Sequence, residues 1–382
     1  MWRRYYRQWY FTVLATLRSS HLSVDLLVNK KQPLISRVYG WIIDLKRRRE
    51  LRNIQRIAPP QIPVLSVGNV TFGGTGKTPF VQFLIGYALK KAHGGQVPML
   101  LSRGYGDDEW RILAKQFPVC QLALGADRIR IGTAKVDEMI ARKRALLSCV
   151  VVDDGLQQWK LAKDLEIIMV DALYPFGNGL LIPCGSLREL PCEAIKRADI
   201  VIVHHANLVN SLDLQLLVRT LTTLVDPQRD CVIATSQMQI MEFQSAKELL
   251  SSKSNNFNHK HMFKFPFKDC LAMVICGVGN PDSVTKMVEK VARWTRVEMK
   301  AFPDHHAFTS RDVRDILQWV SELNRQCRED VVVVTTEKDF ARSPEAMKFI
   351  AAKVELRVLR CELKLLHNRE QVKQRLDRLF DT

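Results

Sequence analysis

The fold of this chain is decided by residues 68–79, a glycine-rich loop that reads Gly68-Asn69-Val70-Thr71-Phe72-Gly73-Gly74-Thr75-Gly76-Lys77-Thr78-Pro79. The apolar run 63–67 precedes it and the helix-like stretch 80–90 follows. Glycines let successive N–H groups point at phosphate oxygens, Lys77 adds charge for the β- and γ-phosphates, and Thr78 offers a hydroxyl to Mg²⁺. The strict Walker A pattern has glycine where Thr71 stands, so the match is imperfect. A chance glycine turn is the alternative, but strand, loop and helix in this order favour a phosphate-binding loop.

Short apolar runs alternate with helix-like stretches along the rest of the chain. This alternation predicts an α/β fold with a P-loop NTPase-type parallel sheet flanked by helices. The runs before residue 245 are 63–67, 98–102, 149–152, 166–170 and 199–203. Two later runs, 271–276 and 331–335, with a helix at 311–324 between them, predict a second, smaller α/β domain.

The predicted domain organisation has five parts. They are a targeting segment or basic arm at 1–31, an amphipathic membrane-associating helix at 32–58, a P-loop nucleotide-binding domain at 59–244, a linker at 245–265 and the smaller α/β domain at 266–382. With 382 residues and 47% hydrophobic composition, the chain is too long and too apolar to be disordered. Its nine cysteines show no C-x-x-C pair and no zinc-type spacing, which indicates a reducing compartment.

Two adjacent carboxylates follow the run 149–152. A P-loop needs an acid at the end of a neighbouring strand to hold the metal or its water, and Asp153 and Asp154 stand in that position. They could instead cap a following helix. With the loop upstream, the pair indicates nucleotide hydrolysis or phosphoryl transfer, without naming an acceptor.

The positive charge is concentrated at the N-terminus. The formal net charge is +17, and residues 1–60 hold thirteen Lys or Arg against three acids. Such an excess attracts nucleic acid or an anionic lipid surface. Residues 1–24 are arginine-rich and free of acids, which suits a mitochondrial transit peptide or a basic membrane-facing arm. Residues 32–49 carry apolar side chains at helical spacing and end in a basic run, so either an interfacial helix or a helix docked on the core is expected.

Four further segments complete a family pattern. They are Ser102-Arg103-Gly104-Tyr105-Gly106, Asp153-Asp154-Gly155-Leu156-Gln157, Phe176-Gly177-Asn178-Gly179-Leu180-Leu181-Ile182-Pro183-Cys184-Gly185-Ser186-Leu187-Arg188-Glu189 and Phe302-Pro303-Asp304-His305-His306. With the glycine loop in front, in this order, the chain resembles the tetraacyldisaccharide 4'-kinases of the lipid A pathway. The resemblance runs from about residue 35 to the motif Thr336-Glu337-Lys338-Asp339.

The resemblance implies an activity and a set of site residues. The activity is transfer of phosphate from MgATP to the 4'-hydroxyl of a tetraacyldisaccharide 1-phosphate, giving lipid IVA, by a peripheral membrane protein. ATP is expected on Gly73, Gly74, Thr75, Gly76, Lys77 and Thr78. Catalytic roles fall to Asp108, His305 and Lys77, metal binding to Thr78, Glu109, Asp153 and Asp154, and substrate binding to Arg128, Asn178 and Arg188. A carboxylate supported by an imidazole can take the hydroxyl proton. No role follows for residues 336–339.

Three departures from the family pattern are visible. Gln158 replaces a histidine, Ser186 replaces a proline, and the short connection before Asp108 looks like the plant form, which implies a mitochondrial location. The alternative is the cytoplasmic face of a bacterial inner membrane. The expected partners are the glycolipid and an anionic membrane surface, with no nucleic acid and no obligate protein partner.

Two other functions compete with the kinase. One is another P-loop NTPase, such as a switch GTPase or a metallochaperone. The other is a nonenzymatic membrane or nucleic-acid binding protein with a relict loop, against which the intact Lys77, Thr78, Asp153 and Asp154 argue.

Overall fold

The structure, a computed structural model, forms two compact units. It describes residues 28, 30–104, 107–141, 146–251, 270–327 and 330–380, without the side chains of 107–109, 251 and 327. The first unit comprises Met1–Gln237 and Leu363–Thr382, and the second comprises Met238–Glu362. Most of the expected targeting segment or basic arm, and most of the expected linker at 245–265, lie outside the described residues.

The first unit is built on a parallel sheet. Its strands lie in the order β3-β2-β4-β1-β5-β6-β7, with parallel pairing at each step. They are β1 (Val64–Asn69), β2 (Val97–Ser102), β3 (Gln121–Leu124), β4 (Leu147–Asp153), β5 (Leu165–Asp171), β6 (Ile200–His204) and β7 (Val232–Ser245). Every residue of β1, β5 and β6 is buried, as expected for parallel strands that are covered on both faces.

Helices cover this sheet. They are α1 (Leu34–Leu51), α2 (Lys77–Lys91), α3 (Asp107–Gln116), α4 (Arg128–Ala141), α5 (Pro191–Ile195) and α6 (Ser211–Leu224). Phe80, Leu84 and Ile85 of α2 are buried in one cluster with Leu65 and Val67 of β1. This packing fixes the start of α2 directly behind the carboxyl end of β1, where the glycine loop lies.

The second unit is a smaller α/β assembly. Its strands, β8 (Cys270–Cys276), β9 (Trp294–Ala301), β10 (Val331–Thr336) and β11 (Glu355–Leu365), pair in parallel in the order β11-β10-β8-β9. Its helices are α7 (Ala246–Ser251), α8 (Pro281–Val291), α9 (Ser310–Cys327), α10 (Glu337–Arg342) and α11 (Pro344–Lys353). The chain enters this unit along β7 and leaves it along β11. The predicted fold class is therefore confirmed.

The C-terminal helix α12 (Arg369–Phe380) belongs to the first unit, whereas the sequence placed residues 266–382 in the second domain. Val372 and Leu376 are buried in the core cluster that contains α2. The Asp377 carboxylate accepts a hydrogen bond from Tyr87 Oη (2.5 Å) and pairs with Lys91 Nζ (2.7 Å). Contacts between residues almost 300 positions apart leave no signal in the local sequence, so the sequence could not predict that this helix belongs to the first unit. The expected linker also begins inside ordered structure, because β7 ends at Ser245 and α7 follows at once.

Candidate active site

The glycine loop is held in shape by the last residue of β1. Asn69 is buried, its Nδ2 donates to Thr75 Oγ1 (2.9 Å), and its Oδ1 accepts from Lys77 Nζ (3.0 Å). Gly73 (φ 115°) and Gly76 (φ 85°) adopt left-handed conformations that favour glycine. The loop is thus pre-shaped, with the Lys77 ammonium directed to its inner side.

Two buried histidines lie beneath the loop, and sequence analysis missed them. A side chain at Gly76 would collide with the imidazole of His204, which lies 2.9 Å from Ser236 Oγ through Nδ1. Burial, followed by the neighbouring His205, lowers the pKa of His204 well below its ordinary value, so the ring is neutral. His205 Nδ1 lies 3.0 Å from Asp171 Oδ1. The only sequence signal was the His-His pair at the end of a strand-like run.

The acidic end of β4 faces the same loop. Asp153 Oδ2 accepts from Ser102 Oγ (3.3 Å), and Asp154 Oδ1 lies 3.7 Å from Lys77 Nζ. Asp154 has a left-handed backbone (φ 53°), which turns its carboxylate back toward the loop. Burial alone would raise the pKa of Asp154, but Lys77, Arg188 and Arg128 outweigh it and hold that pKa below its ordinary value. The Asp154 carboxylate is therefore ionised among cations.

Arg188 links the acidic end of β4 to the loop. Its Nη1 donates to Asp154 Oδ1 (2.7 Å) and to Gln157 Oε1 (3.1 Å), and its guanidinium lies 4.7 Å from the centre of the Phe72 ring. Gln157 Nε2 in turn donates to the carbonyl of Asn69 (3.3 Å). The structure thus brings together Lys77, Asp154 and Arg188, which the sequence placed in three separate motifs.

The loop 176–189 that carries Arg188 is tied to α1. Ser36 Oγ donates to the Leu181 carbonyl (2.8 Å), and Tyr39 Oη donates to the Arg188 carbonyl (3.1 Å). The amide of Asn178, a predicted substrate ligand, is engaged inside this loop: Nδ2 donates to the Cys184 carbonyl (3.0 Å) and Oδ1 accepts from the Leu180 N–H (3.1 Å). The geometry assigns that amide to shaping the loop.

The opposite face of α1 is apolar and exposed. At helical spacing, side chains near 34, 38, 41, 42 and 45 share one side, and Ser36, Tyr39 and Gly40 lie on the other. The exposed fractions on the apolar side are Leu34 76%, Ile35 58%, Val38 51%, Trp41 64%, Ile42 53% and Leu45 47%. Across the described segments, no helix combines the length and apolar content that crossing a bilayer requires.

Arg128 lies at the start of α4 beside the phosphate site. It is 3% exposed, its Nη1 donates to the carbonyls of Gly125 (3.1 Å) and Ala126 (3.2 Å), and its Nε has no hydrogen-bond partner. Burial lowers the pKa of Arg128, while Asp154 acts in the opposite direction. Arg128 also lines a cleft of about 620 Å³ that is bounded by the end of α1 and contains Arg130, Gln158 and Lys160. A guanidinium that lines a cleft is suited to bind an anionic group.

The donors at this site suit Mg²⁺. Thr78, at the start of α2, offers a hydroxyl, and Asp153 and Asp154 offer carboxylate oxygens on the adjacent strand end. Within the described segments, no three His, Cys, Asp or Glu side chains converge to hold a metal by themselves. Mg²⁺ is usually bound by one or two carboxylates together with substrate phosphates and water, so this donor set fits it. The side chain of Glu109, a predicted metal ligand, and that of Asp108 lie outside the described residues.

In the second unit, the two histidines of the motif 302–306 differ sharply. His306 Nε2 lies 3.0 Å from Asp312 Oδ2, and its ring stacks on Phe302 with centroids 5.0 Å apart. His305 has a left-handed backbone (φ 59°) and a side chain that is 36% exposed. His306 is committed to internal contacts, and His305 is the histidine that presents its ring to solvent.

The family is decided by a sequence match. The family described as tetraacyldisaccharide-1-P 4'-kinase matches residues 32–381 of this chain. The chain belongs to this family. A tetraacyldisaccharide 4'-kinase of Halothermothrix orenii is 31% identical over 361 residues, which cover 87% of this chain and 88% of the relative. A probable mitochondrial tetraacyldisaccharide 4'-kinase of Arabidopsis thaliana is 29% identical over 338 residues, covering 82% and 81%.

A solved kinase of the same family shares the fold. The crystal structure of LpxK from Aquifex aeolicus in complex with ATP aligns with 94% of this chain and 99% of its own, with a TM-score of 0.54 and 21% identity. The predicted family membership is confirmed. The roles of the individual site residues remain predictions. The structure groups these residues into a candidate phosphate site in the first unit and a histidine loop in the second.

Proposed function

We propose that this protein transfers the γ-phosphate of ATP to the 4'-hydroxyl of a tetraacyldisaccharide 1-phosphate. The observation that carries the proposal is the convergence of Lys77, Asp154 and Arg188 at one glycine loop in a chain of the 4'-kinase family. Lys77 and Arg188 supply positive charge where the transferred phosphoryl group develops negative charge. The loop N–H groups and the helix start of α2 bind the other phosphate oxygens.

The acidic end of β4 completes the phosphate site. Thr78, Asp153 and Asp154 would hold Mg²⁺, which neutralises phosphate charge when it is bound. Asp154 Oδ1 lies 2.7 Å from Arg188 Nη1 and 3.7 Å from Lys77 Nζ. When ATP is bound, these two cations would pair with its phosphates, which would leave the Asp154 carboxylate to bind the metal. Arg128, which lines the cleft, is proposed to bind an anionic group of the substrate.

Deprotonation of the sugar hydroxyl is assigned to Asp108, supported by His305. A carboxylate within hydrogen-bond reach of the hydroxyl takes its proton as the phosphoryl group arrives. The exposed ring of His305 supports its selection over His306, whose ring is held by Asp312 and Phe302. Phosphoryl transfer depends mostly on positioning and charge neutralisation, so Lys77 is expected to matter at least as much.

The exposed face of α1 is proposed to lie in an anionic membrane surface. Its protein-facing side carries Ser36, which donates to the Leu181 carbonyl, and Tyr39, which packs against a core cluster, while six large apolar side chains face outward. A helix docked through its apolar face would bury these six side chains. Arg48 and Arg49 add charge at the end of the helix, as interfacial helices commonly do. The membrane thereby supplies the acylated substrate.

The decisive assay uses the full chain, MgATP and tetraacyldisaccharide 1-phosphate in detergent micelles. The expected product is heavier by one phosphate and forms only with the lipid, and Lys77→Ala run in parallel gives no product. Replacing ATP by GTP, and omitting the lipid, tests the switch-GTPase and metallochaperone alternatives. Nucleotide consumption that does not need the lipid would overturn the kinase proposal.

Membrane binding is tested by co-sedimentation with anionic vesicles. The triple variant Val38→Ser, Trp41→Ser, Ile42→Ser removes apolar area from the exposed face and should lower the bound fraction severalfold. Leu212→Ser is the matched control, because Leu212 is 75% exposed on α6, another helix of the same unit. Equal co-sedimentation of the triple variant and the wild type would refute the interfacial helix.

A mitochondrial location is proposed from the acid-free, arginine-rich residues 1–24 and from the Arabidopsis relative, which is named mitochondrial. Import of the full chain into isolated mitochondria tests it. A chain that stays accessible to added protease in this assay would contradict the proposed location.

A further inference from the structure

Asp339 is a wholly buried carboxylate at the centre of a hydrogen-bond network in the second unit. Its exposed fraction is 0%. Oδ1 accepts from the Gly277 N–H (3.0 Å) and from Arg342 Nη1 (3.1 Å), and Oδ2 accepts from Thr336 Oγ1 (2.7 Å). Thr336 also caps α10 by accepting from the Asp339 N–H (3.2 Å). Thr336 and Asp339 of the motif 336–339 therefore bond to each other and to the surrounding backbone, as parts of the internal framework of this unit.

Gly277 connects this network to the histidine loop. Its carbonyl, directly after β8, accepts from the His305 N–H (3.1 Å) and from Arg342 Nη1 (3.0 Å). A Cβ atom at position 277 would lie 3.1 Å from both His306 Cβ and the Pro303 carbonyl oxygen. The Asp339 carboxylate therefore binds the N–H group of Gly277, and the carbonyl of Gly277 binds the N–H group of His305.

The backbone of His305 requires such support. Its left-handed conformation (φ 59°) is unfavourable for a residue with a side chain and persists where the surroundings over-determine it. The neighbouring ring of His306 is held by Asp312 and Phe302, whereas the side chain of His305 is 36% exposed. Loosening Gly277 would free this loop to relax and would displace the His305 ring.

We propose that Asp339 and Arg342 are positioning residues that hold Gly277 and, through it, set the His305 imidazole for phosphoryl transfer. The inference rests on the proposed function of His305. Asp339 acts through Gly277 and Arg342, because its own carboxylate is inaccessible. Plain stabilisation of the second unit is the competing explanation, and the experiment must separate the two.

The kinetic arm uses Asp339→Asn and Arg342→Lys in the full chain. Asn keeps the size of the side chain but replaces one acceptor oxygen by a donor, and Lys cannot bridge Asp339 and Gly277 as the guanidinium does. We expect kcat to fall about 10- to 100-fold, since small misplacements of a catalytic group cost about that much, with KM for ATP within twofold. In a His305→Ala background the same changes should lower kcat no further. A multiplicative loss in that background overturns the proposal.

The matched control is Ile350→Ala, a change in the hydrophobic core of the same unit. It should lower the thermal midpoint at least as much as Asp339→Asn and leave kcat unchanged at a temperature where all variants are folded. A kcat loss equal to that of Asp339→Asn would show that general destabilisation is the cause and would overturn the positioning role. Arg342→Lys carries the test if Asp339→Asn fails to fold.

NMR spectra of histidine-labelled protein test the position of the His305 ring independently of turnover. The imidazole resonance of His305, assigned from its loss in His305→Ala, should shift in Asp339→Asn and stay in place in Ile350→Ala. An unchanged His305 resonance in folded Asp339→Asn overturns the positioning role. Wild-type turnover by His305→Ala would instead overturn the proposed catalytic role of His305, so the two failures are distinguishable.

Discussion

Two aspartates, one in each unit, are bound by an arginine, and yet their pKa values are shifted in opposite directions. Asp154 pairs with Arg188 at 2.7 Å, and Asp339 with Arg342 at 3.1 Å. Lys77, Arg188 and Arg128 overcome the effect of burial and lower the pKa of Asp154. At Asp339, removal from water prevails over Thr336, Arg342 and the Gly277 N–H, and the pKa is raised.

The difference reflects what each carboxylate serves. The side chain of Asp154 is 38% exposed and lies among Lys77, Arg188 and Arg128, at the proposed site for phosphates and a metal. Asp339 is entirely buried and uses its oxygens to fix backbone groups. An Arg-Asp pair alone therefore does not identify a catalytic site, and the number of cations and the access to solvent distinguish the two.

The largest effect is expected at the cationic site. Lys77→Ala removes the charge that faces both Asp154 and the phosphates, so kcat should fall by about 10³-fold or more without loss of the fold. Steady-state phosphorylation of the lipid measures it. Lys90→Ala, at the exposed end of the same helix, should leave turnover unchanged. Retained turnover in folded Lys77→Ala would contradict the proposed role of Lys77 in binding the phosphates.

A second test contrasts the two histidines of the second unit. His305→Ala should lower kcat about 10²- to 10⁴-fold, as loss of a positioned acid-base group does. His306→Ala removes the contact with Asp312 and the stack on Phe302, so it should lower the thermal midpoint with a small effect on kcat. The reverse result would mean that the catalytic histidine is His306.

A third test asks whether Arg188 acts through its charge alone. Lys at 188 retains the charge but loses the simultaneous bonds to Asp154 and Gln157 and the stacking on Phe72. We expect kcat/KM for ATP to fall about tenfold, because losing a hydrogen bond to a charged group costs about 1.5 kcal/mol or more. Arg229→Lys is the control, because Arg229 is largely exposed and pairs with Asp199. Unchanged kcat/KM in Arg188→Lys would show that the positive charge at position 188 is sufficient and that the bonds and the stacking do not contribute.

The smallest effect is a pair of opposite pH dependences in stability. A lowered folded-state pKa means that ionised Asp154 stabilises its unit above the ordinary value of 3.8 and loses this as the pH falls. A raised pKa means that the contribution of Asp339 is present below 3.8 and is lost as the pH rises through the folded-state pKa.

Hydrogen exchange is measured on the β1 and β8 amides of the wild type and of the variants Asp154→Asn and Asp339→Asn. It gives, for each unit, the slope of the free energy of unfolding against pH. Each should stay below about 1.4 kcal/mol per pH unit, the limit for one proton. The β8 amides serve as the control for Asp154→Asn, and the β1 amides for Asp339→Asn. Slopes of the same sign would contradict the opposite directions of the two pKa shifts.

Local signals were sufficient for the phosphate loop and the main strands. The runs 63–67 and 166–170 became β1 and β5, because a strand buried on both faces must be apolar throughout. The glycines at 73 and 76 adopt the left-handed backbone that their residue type permits. For α1, the helix itself was predictable from spacing, but its partner was not. The hydrogen bonds of Ser36 and Tyr39 to the loop 176–189 show which side is docked.

Tertiary structure alone decided which distant groups meet. The sequence by itself determined the loop chemistry, the fold class and, through its motif set, the family. It carried no sign that Arg188 would reach Asp154, that His204 would lie under Gly76, or that α12 would return to the first unit. These contacts join residues 34 to almost 300 positions apart. Propensity and periodicity report only neighbours along the chain, so such convergence has no local signature.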